Sequence, residues 1–413
     1  MRDRAPFVLF TLVVGYGAFY LCRANVESAF PLLAHDFGFT RTQLGWLSSV
    51  PIAVYAVGKV VMGGLGDVIG GKRLILLATG GSIVATLAFG ASASLAAFVA
   101  FASIGRFFQS GGWSGSVSVV AHRFEPERHG LVMGVMSTSY ELGNVLAILL
   151  CSAITSALAG WRPLFLINPL LFAAVGLFVA LALRDSRGRP SAVGGAPALT
   201  RLGDDDPSLG PILAALFRRP PFWIAVVLSV LLTFLRVGFL TWTPTYLYEL
   251  STTAGHAAIS GSIAKSAIFP ASGVIAALSV GALSDRFGPG RRAPVMAVSL
   301  AMVVALVLIL AHGHVRSPMV AALLIGGVGL FLLGPYSLLA GALALDVSGR
   351  RGAATAAGII DGAGYLGAST AGVLLGKVAD ARGWPAAFDV VAGAALAATL
   401  VAWAWAVVVL RRR

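Results

Sequence analysis

The chain carries Gly63-Gly-Leu-Gly-Asp67 at the end of one apolar segment and Gly281-Ala-Leu-Ser-Asp285-Arg286 at the end of another. These two similar stretches are 218 residues apart. A second pair of matching stretches, Gly160-Trp161 and Gly383-Trp384, is separated by 223 residues. Nearly equal offsets at corresponding places predict an internal repeat, in which one helical arrangement occurs twice along the chain.

The composition is that of a membrane protein. Of the 413 residues, 58% are hydrophobic and only 11% are charged, whereas soluble domains average about 25% charged residues. A helix needs roughly 20 apolar residues to cross a bilayer. Apolar runs of that length predict twelve membrane-spanning helices, at 6–34, 42–66, 73–93, 95–121, 129–157, 161–183, 219–250, 256–284, 292–312, 317–345, 352–380 and 384–410.

The basic residues fall mainly on one side of the predicted bilayer. The two chain ends, the central stretch and the other loops on that side hold most of them, and the opposite side holds only Arg41, Arg162, Arg316 and Arg382. Short cytoplasmic loops are enriched in lysine and arginine, so both termini and the central stretch are predicted to be cytoplasmic. The net charge of +13 is therefore attributed to the basic loops on the cytoplasmic side of a membrane protein. The predicted partner is the bilayer, and no nucleic acid is predicted.

One long hydrophilic stretch, 184–218, divides the chain, and it is rich in glycine and proline. It predicts a flexible cytoplasmic linker between two six-helix bundles, 1–183 and 219–413. The predicted fold is an all-α membrane protein with two pseudo-symmetric halves, which places a binding site at their interface near the midplane. A monomer is expected. Cys22 and Cys151 lie in apolar segments and predict neither a disulfide framework nor a metal site.

Four basic residues inside the predicted spans are candidate substrate ligands. A charge at a helix centre costs about 2.5–3.5 kcal/mol on insertion scales, so it is a functional hypothesis by default. Arg23 and Arg236 are 213 residues apart, which matches the repeat, and each lies deep in its helix. Two guanidinium groups suit a doubly charged oxyanion. Lys59 would add a point charge, and Lys265 lies toward the outer half of helix 8. The alternative is that each cation pairs with a buried carboxylate, and Glu27 is one turn from Arg23.

Three acidic residues inside the spans, Glu27, Glu141 and Asp361, allow three interpretations. They could carry protons in a coupled carrier, neutralise the basic residues of an empty site, or bind an amino group on the substrate. Glu141 and Asp361 lie in helices 5 and 11, which occupy matching positions in the two halves. Arg106, in helix 4, has both a functional and a structural interpretation.

Aromatic residues near these charges are further candidates for substrate contact, although membrane aromatics more often pack or anchor at the interface. Tyr16 and Tyr20, one turn apart before Arg23, are the best placed of them. The remaining candidates are Tyr140, Tyr365 and Trp113. Asp67, Asp285 and Arg286, in the repeated glycine–aspartate stretches, are predicted to form a gate in which the aspartates pair with basic groups. The alternative is a solvated turn with a cap.

Four stretches resemble the organophosphate:phosphate antiporters, a family of the major facilitator superfamily that includes bacterial glycerol-3-phosphate and hexose-phosphate carriers. In chain order they are Gly15-Tyr-Gly-Ala-Phe-Tyr-Leu-Cys-Arg23-Ala-Asn25, Gly58-Lys59-Val-Val-Met-Gly63, Phe234-Leu-Arg236-Val-Gly-Phe-Leu-Thr-Trp242-Thr-Pro244-Thr-Tyr246-Leu, and Gly352-Ala-Ala-Thr-Ala-Ala-Gly358 with Gly364-Tyr365-Leu-Gly367. The resemblance implies that Arg23 and Arg236 bind phosphate and that Lys59 assists. It also implies rocking of the two halves and inorganic phosphate as counter-substrate.

The chain departs from the glycerol-3-phosphate members of that family. Those members carry a histidine at the position of Tyr140, and Glu141, Asp361, Lys265 and Glu27 are additions relative to them. The added charges favour a phosphonate, a phosphoglycerate-like acid or an amino-bearing phosphate ester.

These observations predict a secondary transporter of a small organic phosphate or related organic anion in a bacterial-type inner membrane. It would work by alternating access, with phosphate exchange or proton coupling. Two alternatives stay open: a proton-coupled carrier of organic carboxylates, and a transporter-like sensor of a phosphorylated sugar. The sequence contains no nucleophile–base arrangement, metal-ligand spacing or phosphate-binding glycine-rich loop, so no enzyme, cofactor or metal is predicted.

Overall fold

The computed structural model describes residues 5–125, 129–183, 216–251, 256–287, 292–338 and 358–411. Within those ranges the chain forms twelve helical segments of membrane-spanning length and no strand. The first six are α1 (Ala5–Phe37), α2 (Arg41–Ile69), α3 (Gly71–Ala91), α4 (Leu95–Arg123), α5 (His129–Ala157) and α6 (Arg162–Ala182). The second six are α7 (Pro220–Glu249), α8 (His256–Ser266 and Ile268–Phe287), α9 (Arg292–His312), α10 (Pro318–Leu338), α11 (358–382) and α12 (384–411).

Helix composition supports the predicted membrane location. Ten continuous ranges of the described chain are long and apolar enough to cross a membrane. The count differs from twelve because α11 and α12 form one range and because α4, which contains Arg106 and Gln109, is less apolar. Val57, Leu170 and Leu323 are each more than half exposed on the outside of the bundle. Such apolar surface requires a cover, which lipid provides.

The repeated glycine–tryptophan pair has the same backbone conformation in both halves. Gly160, before α6, has φ of +83°, and Gly383, between α11 and α12, has φ of +80°. Glycine adopts this left-handed region without the steric penalty that a Cβ would bring. The repeat therefore marks equivalent turns, each directly before the last helix of its half.

Helix α1 is interrupted, whereas the sequence predicted one continuous helix over 6–34. A 3₁₀ turn at Phe19–Cys22 separates Ala5–Ala18 from Ala24–Ser28, and Phe30–Phe37 follows as a third piece. Arg23 is the junction residue after the 3₁₀ turn, with φ of −112°. The change of helical period rotates the side chains after Arg23 relative to those before it.

The two halves meet along two edges that the repeat relates to each other. Helix α2 of the first half packs against α11 of the second, and α5 packs against α8. At the α2–α11 edge, a Cβ on Gly45 would lie 2.5 Å from the carbonyl oxygen of Gly372. Glycine is thus required at this close approach, which brings the two halves together beside the site.

Candidate anion-binding site

A cavity lies between the two halves. Six helices line this cavity. Three charged residues of the first half face the cavity, and Arg236 of the second half lies opposite them. The lining residues are Tyr20, Arg23, Ala24, Glu27 and Ser28 of α1, Ile52 and Tyr55 of α2, Arg106 of α4, Asn144 and Ile148 of α5, Arg236, Val237, Leu240, Thr241 and Pro244 of α7, and Tyr365 of α11.

Arg23 is held by neutral groups. Its Nε donates to Oε1 of Gln109 at 3.2 Å, and its Nη1 donates to the hydroxyl of Tyr20 at 3.3 Å. The amide of Gln109 is oriented because its Nε2 donates to the Cys22 carbonyl at 2.8 Å. The guanidinium carbon lies 4.9 Å and 4.8 Å from the ring centres of Tyr20 and Tyr55. These aromatic faces favour the cation without neutralising it.

The pairing of Arg23 with Glu27, which the sequence left open as an alternative, is not formed. Oε1 of Glu27 instead accepts a hydrogen bond from Nη2 of Arg106, a residue of α4, at 2.7 Å. Among the described residues no carboxylate lies within ion-pair distance of Arg23. The interruption of α1 at Arg23 explains the difference, because residues four apart share a face only in a regular helix.

Arg236 is paired with Glu141 of the opposite half. Nη2 of Arg236 and Oε1 of Glu141 are 3.3 Å apart, and the two residues are only 5% and 3% exposed. Nε of Arg236 and Oε2 of Glu141 have no hydrogen-bond partner among the residues that the structure describes. The guanidinium carbon also lies over the rings of Tyr140 and Tyr336, at 5.6 Å and 5.1 Å.

Lys59 and Asp361 form a second ion pair between the halves, from α2 to α11. The ammonium of Lys59 lies 5.4 Å and 4.6 Å from the ring centres of Tyr55 and Tyr365. Neither Lys59 nor Asp361 is among the residues that line the cavity. The matching positions of Glu141 and Asp361 thus have a structural meaning, since each carboxylate neutralises a cation of the other half.

The charges of the site do not balance. Arg23, Arg106, Arg236 and Lys59 supply four positive charges, and Glu27, Glu141 and Asp361 supply three negative ones. The excess charge belongs to Arg23, which lines the cavity. The arrangement therefore favours an anion at Arg23, where charge-assisted hydrogen bonds from the guanidinium are available.

Of the predicted substrate ligands, Arg23, Arg236, Tyr20 and Tyr365 line the cavity, and seven others do not. Tyr16 is buried, and its ring centre lies 5.0 Å from that of Trp113. Tyr16 and Trp113 therefore pack behind Tyr20. Lys265 is half-buried in α8 and has no ion-pair partner among the described residues. The other four are Lys59, Tyr140, Glu141 and Asp361: the first three contact lining residues, and Asp361 contacts Lys59.

The sequence did not single out Tyr55, Asn144, Thr241 or Ser28, all of which line the cavity. Helical spacing contains a signal for two of them. Tyr55 lies one turn before Lys59, and Asn144 lies one turn after Tyr140 on the same face of α5.

A polar network around Arg41 joins the halves at one end of the cavity. Arg41, at the start of α2, binds Glu249 of α7 at 2.6 Å and Asp380 of α11 at 3.5 Å. Asp380 also accepts from the backbone and hydroxyl of Thr42, at 2.7 and 2.6 Å, and Glu249 accepts from the indole of Trp384 at 2.7 Å. We call these five residues the Arg41 network. The sequence assigned them no role.

The predicted gating residues lie elsewhere. Asp67 is in the last turn of α2, and Asp285 and Arg286 are in the last turn of α8. Their side chains fall outside the part of the structure that is described, as do residues 184–215 of the predicted linker.

Two related six-helix bundles around a central polar cavity define a membrane transporter of the facilitator type. Residues 12–372 match the family model of the Major Facilitator Superfamily, and the chain belongs to that family. The chain is therefore a multi-pass membrane transporter and not an enzyme, and the predicted fold class is confirmed.

Relatives named for phosphorylated substrates span nearly the whole chain. The chain is 28% identical to a probable hexose phosphate transport protein of Chlamydia muridarum, over 95% of this chain and 89% of that protein. It is 25% identical to a glycerol-3-phosphate transporter of Bacillus subtilis, over 96% and 91%. The predicted resemblance to the organophosphate antiporter family is confirmed by these relatives.

A solved structure supports the fold alone. A bacterial homologue of the human lysosomal transporter Spinster superposes with a TM-score of 0.82, covering 99% of both chains at 16% identity.

Proposed function

We propose that the chain carries a small phosphate ester or a related phosphorylated anion across a bacterial-type inner membrane by alternating access. The observation that carries this proposal is Arg23, a cavity-lining arginine that has no carboxylate partner among the described residues and lies opposite Arg236 of the other half. The relatives named as hexose phosphate and glycerol-3-phosphate transporters support the same substrate class.

The chemistry of the two arginines explains why a phosphate group suits the cavity. A guanidinium group donates two parallel hydrogen bonds to phosphate oxygens and stays charged at every physiological pH. Arg23 belongs to the first half and Arg236 to the second, so an anion that binds both joins the halves. A ligand shifts a conformational equilibrium only by binding one state more tightly than another. Bridging of the two arginines would supply that difference in affinity.

The Arg41 network is proposed as the outer gate. Arg41 lies on the side of the membrane that the distribution of basic residues predicts to be outside, with both termini in the cytoplasm. Its bonds to Glu249 and Asp380 tie α2 to α7 and α11. Release of these bonds would be needed for the cavity to open outward. We expect the carrier to work as a monomer and to exchange its substrate for inorganic phosphate or to couple it to protons.

Flux through purified protein in liposomes tests the substrate class. Vesicles loaded with phosphate should take up labelled glucose 6-phosphate or glycerol 3-phosphate, and empty liposomes should not. Uptake of dicarboxylates with no uptake of phosphate esters would support the carboxylate alternative and overturn the proposal. Binding of a phosphate ester without any flux would support the sensor alternative, which the transporter names of the relatives do not favour.

A disulfide across the halves should lock the outer gate. The hydroxyl oxygens of Ser48 and Thr241, in α2 and α7, are 3.0 Å apart, so side chains at these two positions contact each other across the halves. In the Ser48→Cys/Thr241→Cys variant, oxidation should stop transport and a reductant should restore it. Native Cys22 and Cys151 are buried and should not interfere. Each single cysteine variant is the control, and full transport by the oxidised double variant would show that this contact need not open.

A further inference from the structure

The three ion pairs of the site differ in how well each carboxylate is bonded. Glu27 is bound by Arg106 at 2.7 Å, and Asp361 is in close contact with Lys59. Glu141 has one contact with Arg236, at 3.3 Å, and its second oxygen has no partner in the described part of the chain. Both members of that pair are at least 95% buried, and Nε of Arg236 donates to none of the described residues either. The pair of Arg236 and Glu141 is therefore the loosest of the three.

We infer that Glu141 is a proton-binding site whose occupancy is linked to the anion: when a dianionic phosphate group replaces Glu141 on Arg236, Glu141 takes up one proton. This inference rests on the proposed function and names its coupling ion. The event is an exchange of partners. Arg236 loses its bond to Oε1 of Glu141 and gains bonds to phosphate oxygens, and a proton from water binds the released carboxylate.

The count of charges gives the reason for the proton. Arg23 and Arg236 together balance a dianion, which leaves the carboxylate of Glu141 without a cation. A buried carboxylate without a partner is strongly disfavoured relative to its neutral form. Neutral Glu141 restores the balance, because Arg106 with Glu27 and Lys59 with Asp361 are already neutral pairs. The site thus accepts two negative charges and one proton together.

The described surroundings of Glu141 offer no second cation. From α8 it faces Gly273, where an added Cβ would lie 3.4 Å from Cδ of Glu141, and Leu333 of α10 packs against the same glycine. Lys265, earlier in α8, does not lie within ion-pair distance of Glu141. Among the described residues, Arg236 of α7 is the one cation within ion-pair distance of Glu141.

Tyrosines account for the remaining ionisable groups around this pair. Tyr140, Tyr336, Tyr20 and Tyr365, from α5, α10, α1 and α11, interact with Arg236 or Glu141. A tyrosine side chain carries no positive charge in either protonation state. None of them can replace Arg236 as the counter-ion of Glu141.

Calorimetric titration with glycerol 3-phosphate tests the inference on purified full-length protein. At pH 8 this ester is a dianion, since the second pKa of a phosphate ester is about 6. Titrations in two buffers of different ionisation enthalpy give the number of protons bound with the ester. The wild-type protein should take up about one proton per ester, and its affinity should fall about tenfold per pH unit above the ionisation of the ester. Binding without proton uptake would overturn the inference.

The Glu141→Gln variant separates Glu141 from other acceptors of the proton. It should bind the dianion without proton uptake and with an affinity independent of pH between 7.5 and 9. Unchanged proton uptake in this variant would place the proton on the phosphate or another residue and would overturn the inference. Asp389→Asn, at an exposed carboxylate paired with His312 at the surface, should behave as wild type.

Two further results complete the test. If Glu141→Gln does not fold, Glu141→Asp keeps a titratable group at a changed distance from Arg236, and it should shift the pH dependence of binding; an unshifted profile contradicts the inference. Absence of any binding of the ester to wild-type protein, at every pH, would instead refute the proposed function.

Discussion

An Arg23→Lys protein should bind and transport phosphate esters about 10- to 100-fold less well than wild type. Lysine retains the charge but has no planar fork, so bidentate bonding to phosphate oxygens is lost. Hydrogen bonds to charged groups contribute about 1.5–3 kcal/mol, and each 1.4 kcal/mol is about a factor of ten in affinity. The dissociation constant for glycerol 3-phosphate and the initial rate of uptake into liposomes measure the loss.

The structure provides a matched control for this substitution. Arg162 lies at the start of α6 with its guanidinium 4.6 Å from the ring centre of Trp161 and is not part of the cavity lining. Arg162→Lys should therefore leave both measurements unchanged. Near-normal uptake by Arg23→Lys would show that the cation at this position acts only through its charge, and the bidentate role would be refuted.

Local sequence signals predicted most of the fold. Apolar runs located the helices, and the repeated Gly160-Trp161 and Gly383-Trp384 pairs located equivalent turns, because a left-handed glycine before a helix is a local requirement. The 3₁₀ turn at Phe19–Cys22 was not predicted. Its residues are all apolar or aromatic and give no local cue for a change of helical period.

The partners of the charged residues could not be predicted in the same way. Spacing along one helix suggested Glu27 as the partner of Arg23, yet Arg106 binds it from a helix 79 residues away. The pairs of Arg236 with Glu141 and of Lys59 with Asp361 join residues 95 and 302 positions apart. Such pairs are set by which helices of the two halves pack together, and helical periodicity contains no information on that.

The Arg41 network was missed for a related reason. The sequence placed Arg41 on the side of the membrane that has few basic residues. Glu249 and Asp380 lie at or near helix ends far from Arg41 in sequence. Only the packing of α2 against α7 and α11 brings them together. The distribution of basic residues thus predicted the side of the membrane on which Arg41 lies, but it did not predict the contacts that Arg41 makes.

Removal of one member of the Arg236–Glu141 pair should destabilise the protein strongly, and removal of both should not. Breaking a buried ion pair from one side costs about 3–5 kcal/mol, because the remaining charge is left without a partner. In Arg236→Met the remaining charge is the carboxylate of Glu141, which is 3% exposed. We expect a large fall in the melting temperature of the ligand-free protein in detergent at pH 8. The fall should be smaller at pH 5, because protonation of the unpaired carboxylate costs less free energy at the lower pH.

The double variant Arg236→Met/Glu141→Leu distinguishes loss of the charge pair from loss of packing. Replacement of a buried pair by apolar residues of similar volume is often neutral or stabilising, so the double variant should recover most of the lost stability. Its melting temperature should differ between pH 5 and pH 8 no more than that of wild type, and it should transport no phosphate ester because Arg236 is absent. Equal destabilisation of the single and double variants would show that packing, rather than pairing of the two charges, stabilises this side of the cavity. Recovery of stability without recovery of transport would instead assign Arg236 to substrate binding, since its contribution to the fold would then have been replaced.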